Sequence, residues 1–554
     1  MSRKIAIKEY QQGQTILFPE SIDSYISSDS PVRLINAVVD QLDLTEVMES
    51  YAGGGCSCYS PRMLLKVLFY GYLSNLYSCR KIARSMEENI HFMWLSGKQF
   101  PKYNTINNFR SLHLKDTINS LFTQVVILLV DMGYLTLKEQ YIDGTKLEAR
   151  SNKYTFVWKK SVEKNKAKLE AKIRGILQEI ETGIAYDNAP DDEPPTPIDS
   201  AGLRNRIAQI NRENKSKKQQ QQIKQIENKL IPKLEEYEQK LTTCGKRSSY
   251  SKTDPDATFM GLKEDALNNR VRKPAYNLQI STENQFIANF DFYPNANDSI
   301  TMIPFLQLHQ SRYNQMPKKI IADAGYGSEE NYDFMTLHKI DAYVKYNYYN
   351  KENRNDYKNN PYLASNLHYN AKGDCFVCPI GEPMIYADTH IKSTVNGYPS
   401  RLDLYQAEKC QECYLREKCC KSDTNRCIEV NHALRSYKKK VCELLACEEG
   451  ARLYKKRSTE PESVFGQMKA NMGYKRFRHF SKEKITMDFA IFAIAFNLGK
   501  MWNIDQKSKK NNKNNLKNQS YLICIIRVEL TIKHLGIFAY QFPSITNRKK
   551  NIAA

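Results

Sequence analysis

A change of hydrophobic period after residue 136, from helical to strand spacing, restricts the folds open to this chain. Three runs of strand type, QYIDGTKLEA, PAYNLQIST and QFIANFDFY, are followed by two more, KKIIADAGYG and IDAYVKYN. A helical pattern precedes each of the last two, and Glu283-Asn284 separates the second run from the third as in a hairpin. Strands and helices in this order predict an α/β domain.

A charged segment interrupts this pattern after its first strand. Residues 158–186 and 203–242 are rich in Lys, Glu and Gln, with sparse Leu and Ile at helical spacing. The acidic, proline-rich run DNAPDDEPPTPID separates them. We expect an inserted helical hairpin over residues 158–245, which either grips DNA or a partner subunit or is simply solvated.

Helical patterns dominate residues 1–125. The run 61–77 repeats Leu and aromatic residues at helical spacing, which predicts a buried helix. The next helix, CRKIARSMEENIHFMWL, has an apolar and a basic face, and Pro101 separates it from TINNFR. This arrangement fits both a DNA-binding helix-turn-helix and an ordinary helical bundle. In the first case the basic side chains that would contact DNA are Arg80, Lys81 and Arg110.

The charge balance favours a polyanionic partner. The chain has 82 Lys and Arg against 61 Asp and Glu, a formal net charge of +21 that attracts nucleic acid. With 41% apolar residues it can build real cores, which excludes wholesale disorder. The N-terminus has no apolar signal region and no early run long enough to span a bilayer, so we expect a cytoplasmic protein without a membrane partner. Its 14 cysteines then favour thiols or metal ligands over disulfides.

Residues 348–450 form a cysteine-rich insertion. Two C-x2-C pairs, Cys375-x2-Cys378 and Cys410-x2-Cys413, have the spacing of zinc ligands, and Cys419, Cys420 and Cys427 follow closely. Two interpretations stay open here. Either the four paired cysteines bind a structural Zn²⁺, or all are reduced, buried thiols.

The segment 451–502 predicts two further helices. If Pro461 occupies a first helical turn, then Glu462, Phe465, Gly466 and Lys469 share one face. The run ITMDFAIFAIAFNLGKMW is almost continuously apolar and predicts a core helix that ends near Trp502. Residues 503–554 contain a Lys/Asn-rich linker, expected to be disordered, and an apolar appendage of uncertain role.

Three carboxylates stand out by position. Asp143 lies on the first predicted strand, Asp323 ends a later one, and Glu462 begins a helix beyond the cysteines. Such hard oxygen ligands suit Mg²⁺ or Mn²⁺. Two ions of this kind can activate the attacking oxygen and stabilise the leaving oxygen when a phosphodiester is cleaved.

The sequence around these acids closely resembles the DDE transposases of bacterial insertion sequences. The matching blocks are YIDGTKLEARSNKYTFVWKK, IIADAGYGSEENYDF and RSTEPESVFGQMKANMGYKRF, and YSPRMLLKVLFYGYLSNLYSCRKIARSMEENIHFMWLSG with TINNFR resembles the family's helical N-terminal domain. Together they cover roughly residues 15–502. The resemblance implies an RNase H-like core, a mixed five-stranded sheet with flanking helices, made of residues 136–157, 246–347 and 451–502.

The resemblance also implies roles for single residues. Asp143, Asp323 and Glu462 would bind two Mg²⁺ or Mn²⁺ ions. Arg457 and Glu462 stand one residue further apart than in the commonest family signature, and Glu460 is the competing third ligand. The side chains implied to hold DNA phosphates are Tyr454, Arg457, Lys469 and, along the same basic edge, Arg476.

The function implied is metal-dependent strand cleavage and strand transfer by a transposase. Its partners would be double-stranded DNA, both the terminal inverted repeats of the element and the target, bound by a homodimer on paired ends near the bacterial nucleoid. Two alternatives remain: an RNase H-like nuclease, in which water is the final nucleophile, and a transposase-derived DNA-binding regulator without catalysis.

Overall fold

The computed structural model describes residues 21–51, 57–152, 154–182, 199–210, 217–262, 272–394 and 396–511. The predicted proline-rich break and appendage fall almost entirely outside these residues. The chain divides into two compact units. One comprises residues 1–106, 120–136 and 494–554, and the other comprises residues 107–119 and 137–493.

The N-terminal region is helical, as predicted. Its helices are α1 (Pro31–Gln41), α2 (Thr45–Glu49), α3 (Pro61–Leu73), α4 (Cys79–Glu88), α5 (Ile90–Ser96), α6 (Tyr103–Asn108) and α7 (Ile118–Asp131). Gly71 allows α3 and α4 to pack closely, because a Cβ there would lie 2.9 Å from Ile82 Cδ1. The single helix predicted from Cys79 is in fact two. Asn89 is extended, and its side-chain oxygen accepts a hydrogen bond from His91 N that caps α5.

The charged insertion forms a helical hairpin. Strand β1 (Glu139–Glu148) is followed by β2 (Phe156–Trp158), α8 (Lys159–Thr182), α9 (Ser200–Ile210), α10 (Lys217–Gln225), α11 (Ile231–Cys244) and β3 (Ser249–Ser251). Strands β2 and β3 pair antiparallel and close the base of the hairpin. The sparse Leu and Ile residues of the four helices form their own apolar core.

The central sheet is mixed. It consists of β1 with β4 (Thr258–Gly261), β5 (Arg272–Glu283), β6 (Phe286–Tyr293), β7 (Lys319–Gly327) and β8 (Asp341–Tyr346), and α12 (Met302–Tyr313) and α13 (Glu329–Leu337) connect the later strands. The order is β4-β5-β1-β7-β8, with β6 also on β5. β5 runs antiparallel to β1, whereas β7 and β8 run parallel to it. The sheet therefore has six strands rather than five, since the four-residue β4 was too short to predict.

The cysteine-rich segment folds into a small antiparallel sheet. Its elements are α14 (Tyr349–Glu352), α15 (Asn355–Lys358), β9 (His368–Asn370), β10 (Cys375–Val377), β11 (Pro383–Ser393), β12 (Pro399–Ala407), α16 (Arg416–Cys419) and β13 (Cys427–Val430). The strand order is β13-β12-β11-β10-β9, around a core that includes Phe376 and Tyr405.

Four helices complete the described chain: α17 (His432–Ala446), α18 (Glu448–Lys456), α19 (Pro461–Gly466) and α20 (Lys482–Asn511). Among the described residues, α20 contains a stretch long and apolar enough to cross a membrane, but 83% of that stretch is buried inside the protein. It is therefore a core helix, as predicted. It continues nine residues past Trp502, so the first part of the predicted linker is helical.

Candidate active site

Two aspartates stand side by side on neighbouring parallel strands. Ile142 of β1 is in register with Ala322 of β7, and the next residues are Asp143 and Asp323. Beyond this pair the register between β7 and β8 shifts, and β1 stays paired only with β5. Each carboxylate accepts a hydrogen bond from the backbone N–H of the following residue, at 2.8 Å and 2.7 Å. Adjacent parallel strands lie ~4.8 Å apart, so the two acids share one location.

The third carboxylate, Glu462, lies in the first turn of α19. Pro461 begins this helix, which packs against β1 and β5. Further along the same segment, Lys469 Nζ donates a hydrogen bond of 2.7 Å to Thr145 Oγ1. Thr145 stands two residues after Asp143 and therefore on the same face of β1. Lys469, which was predicted to share a helical face with Glu462, therefore contacts the strand that carries the first aspartate.

Basic and aromatic side chains occupy the space between the second and third acids. Arg457 Nη2 lies 3.5 Å from Glu462 Oε1. The ring of Tyr454 lies 4.1 Å from Lys345 Nζ and 5.5 Å from the Arg457 guanidinium. Burial lowers the pKa of Lys345, the Arg457 charge lowers it further, and Asp323 opposes both. Positive charge is therefore concentrated beside Asp323.

Lys345 was not predicted as a site residue. Val344 of β8 is in register with Ala322 of β7. Lys345 and Asp323 are the residues that follow this pair on the two strands. The charge of Asp323 acts on Lys345, so the lysine lies near the second aspartate. The sequence signal is a single lysine in the otherwise apolar run AYVKY, and it becomes meaningful only once the strand register is known.

Glu460 occupies a different environment from Glu462. Its side chain is 2% exposed, whereas that of Glu462 is 51% exposed. Glu460 Oε2 accepts a hydrogen bond of 2.6 Å from Gln285 N, and Oε1 lies 3.1 Å from Lys456 Nζ. Asn284 and Gln285 both have positive φ, as a two-residue hairpin turn requires, so the turn lies one residue later than predicted. Glu460 therefore fastens the β5–β6 hairpin.

A polar network that the sequence did not predict lies beside the first aspartate. Asp298 Oδ1 accepts hydrogen bonds from Asn277 Nδ2 at 2.7 Å and from Gln279 Nε2 at 3.0 Å. A Cβ at position 144 would lie 2.3 Å from Gln279 Nε2 and 3.0 Å from Asp298 Oδ1. Only glycine at position 144 leaves room for this network next to the site.

Tyr326 joins this network to the two aspartates. Its hydroxyl donates to Gln279 Oε1, and its side chain is 1% exposed. Burial raises the pKa of this phenol well above its ordinary value, and the charges of Asp298, Asp143 and Asp323 raise it further. Tyr326 is thus held as a neutral hydrogen-bond donor among three carboxylates.

Comparison with known protein families gives two matches. The family described as "Transposase DDE domain" matches residues 377–502, and the family described as "Transposase domain (DUF772)" matches residues 20–112. Both matched segments are therefore of transposase type, and residues 377–502 are of the DDE class. No curated protein matches it. Of the three acids, Glu462 lies within the matched DDE segment, and the two aspartates lie between the matched segments.

One basic residue of the chain does not fit its predicted role. Arg110 is 5% exposed and its guanidinium lies 3.7 Å from the buried carboxylate of Asp488, so it cannot face DNA, and the prediction was wrong. By contrast, Arg80 and Lys81 are exposed on α4, and the Arg80 guanidinium lies 4.9 Å from the ring of Tyr103.

Arg476 lies at the end of β1, away from the row of acids. Its Nε is 3.5 Å from Glu148 Oε1 and donates to Ala149 O at 3.3 Å. The side chain remains 53% exposed. It is accessible to DNA, but it reaches the strand end rather than the neighbourhood of Asp143.

In the described part of the chain, no three His, Cys, Asp or Glu residues lie close enough to hold one metal ion. The two aspartates are adjacent, and Glu462 pairs with Arg457. The donor set is nevertheless of the right chemistry, because carboxylate oxygens are the ligands that Mg²⁺ and Mn²⁺ prefer.

The four cysteines predicted as zinc ligands divide into three and one. Cys378, Cys410 and Cys413 line a common small cavity, whereas Cys375 is not among its lining residues. None of the twelve cysteines within the described ranges forms a disulfide. The first C-x2-C pair does not form one tight turn, because residues 375–377 are strand β10.

Proposed function

We propose that this transposase binds the terminal inverted repeats of its element as a homodimer, cleaves a DNA strand at each end and joins the released 3′-OH to target DNA. We further propose that its mixed sheet is an RNase H-like core, with Asp143, Asp323 and Glu462 as the catalytic carboxylates. The alternation of antiparallel and parallel strands about β1 supports this assignment.

The observation that carries the proposal is the placement of the three acids. Asp143 and Asp323 follow registered residues on adjacent strands, and the segment with Glu462 is fastened to β1 by the hydrogen bond between Lys469 and Thr145. These contacts support a shared catalytic site for residues that lie far apart in the chain.

The three carboxylates are suited to hold two divalent cations, Mg²⁺ or Mn²⁺. Such ions, when bound, supply Lewis acidity for the attacking and leaving oxygens of phosphodiester cleavage. We infer that Glu462 turns towards the aspartates when metal binds, because its side chain is half-exposed and lies on the surface beside Arg457.

The cationic side chains of the chain itself would position the DNA backbone. Lys469 and Lys345 offer point charges on either side of the aspartates, and Arg457 offers a planar fork that can bind two phosphate oxygens. Because Arg457 pairs with Glu462, a phosphate that attracts the guanidinium would release the carboxylate for ligand binding. Tyr454 holds Lys345 and Arg457 at this position through its ring.

Substitution of the first aspartate tests the proposal. Asp143→Asn keeps the shape of the side chain but removes a charged ligand, so we expect DNA cleavage and strand transfer to fall by about 100-fold or more. Binding of terminal-repeat DNA should remain. The matched control is Asp341→Asn, at the exposed start of β8, which should leave both activities unchanged.

Two results would contradict the proposal. Unchanged cleavage by the Asp143→Asn variant would remove this residue from the site. Cleavage by the wild-type protein without joining to target DNA would instead indicate a nuclease, in which water is the final nucleophile.

A further inference from the structure

Five cysteines converge on one small cavity at the edge of the antiparallel sheet. The cavity has a volume of about 20 Å³, and its walls include Cys378, Cys410, Cys413, Cys419 and Cys420. A volume of this size holds a single water molecule or ion but no organic ligand. The chemistry of the walls, soft sulfur atoms from several loops, selects a thiophilic metal.

Tight turns present these cysteines to the cavity. Gly381 N donates a hydrogen bond of 2.9 Å to Cys378 O, and Gly381 has a φ of +95°, so the chain reverses directly after Cys378. Cys413 N donates to Cys410 O at 3.4 Å, which closes a second turn. The short helix α16 begins three residues later and ends at Cys419.

Arg426 links two of the sulfur atoms. Its backbone N–H donates to Cys410 Sγ at 3.5 Å, and its Nη1 donates to Cys419 Sγ at 2.8 Å. Arg426 is only 8% exposed. A buried guanidinium and a backbone amide directed at sulfur are outer contacts of the kind that orient metal ligands.

We propose that Cys378, Cys410, Cys413 and Cys419 bind one structural Zn²⁺. The assignment prefers Cys419 to its neighbour Cys420 because Cys419 shares Arg426 with Cys410. Four thiolates complete a tetrahedral shell and leave no position for water, so the site stabilises the fold and does no chemistry. The cysteine side chains must rotate into the cavity to meet at one ion, since no three of them do so as placed in the described structure.

Cys375 is excluded by strand geometry. Side chains alternate between the two faces of a strand, so Cys375 lies on the opposite face of β10 from Phe376. Phe376 is fully buried in the core of the small sheet, and Cys378 and Cys410 pack against that same core. The C-x2-C spacing around Cys375 therefore does not form a ligand pair.

Metal analysis of the purified full-length protein tests this ligand set. Inductively coupled plasma mass spectrometry should find about one zinc per chain. The control variants Cys375→Ser and Cys427→Ser should retain this zinc. Cys378→Ser and Cys419→Ser should lose most of it. The proposal is overturned if the wild-type protein binds no zinc after incubation with ZnCl₂ under reducing conditions, or if Cys375→Ser loses as much as Cys419→Ser.

A second measurement on the wild-type protein avoids variants that fail to fold. Cobalt(II) added to the reduced, zinc-depleted chain should produce the intense visible absorption of a tetrahedral tetrathiolate site. Octahedral cobalt absorption, or none, would overturn the proposal. Neither measurement depends on DNA cleavage, so failure of the zinc site and failure of the proposed transposition chemistry are distinguishable.

Discussion

At the scale of single residues, environment separates acids that the sequence alone could not rank. Glu460 and Glu462 are two positions apart, yet one is 2% exposed and bonded to a hairpin turn while the other is 51% exposed beside Arg457. The strand patterns predicted that Asp143 and Asp323 lie on strands, but their shared site was predicted only from the resemblance to DDE transposases. Lys345 and Asp298 were not predictable, because their proximity depends on the register of β8 and on the loop after β6.

The two glutamates should respond oppositely to the same substitution. Glu460→Gln removes the charge that binds Lys456 and a main-chain amide, so it should reduce the free energy of unfolding by about 1–3 kcal/mol. Glu462→Gln should change stability by less than about 0.5 kcal/mol but abolish DNA cleavage. Chemical denaturation and a cleavage assay on both variants measure this. Loss of cleavage by Glu460→Gln at unchanged stability would reverse our assignment.

At the scale of elements, the predictions failed where a short-range contact overrode a periodic pattern. Asn89 caps α5 with its side chain and so divides one predicted helix into two. The Cys375 pair resembled a zinc turn, but pairing with β9 and β11 makes its first half a strand. The long strands β1, β5 and β7 were predicted correctly, because each contains a buried run with strand pattern.

Helix α12 carries a buried histidine whose titration should make stability depend on pH. Burial lowers the pKa of His309 and the nearby charge of Arg312 lowers it further, to about 4. Between pH 6.5 and 4 the unfolded chain therefore binds a proton that the folded chain does not. Stability contributed by the neutral imidazole should fall with falling pH in this window, by up to about 3 kcal/mol.

Replacing the histidine isolates this contribution. In His309→Leu, the free energy of unfolding should depend less on pH between 6.5 and 4 than in the wild-type protein. The control is His390→Leu on β11, a substitution at a half-exposed side chain that should hardly change stability. Parallel pH profiles for His309→Leu and the wild-type protein would show that this residue is protonated in the folded state.

At the scale of the whole molecule, a net charge of +21 favours DNA binding of any sequence, so affinity alone does not locate the recognition surface. The exposure of individual basic residues says more about where DNA can bind. Arg80 and Lys81 are exposed on α4, within the matched transposase domain at residues 20–112. Arg110 lies in the same matched segment but is buried against Asp488. Membership of a basic segment therefore does not by itself identify a DNA contact.

Substitutions of these basic residues should have separable effects on binding and stability. If Arg80 and Lys81 each contact a phosphate, replacing both with Ala should weaken binding of terminal-repeat DNA and reduce the slope of log affinity against log salt by about 2. Stability should hardly change, because both side chains are exposed. Arg110→Ala should instead lower the free energy of unfolding by about 1–3 kcal/mol, since it removes the buried guanidinium that lies 3.7 Å from Asp488. A salt titration of DNA binding and a denaturation curve for each variant measure both effects. An unchanged salt slope in the Arg80/Lys81 variant would place recognition elsewhere in the chain.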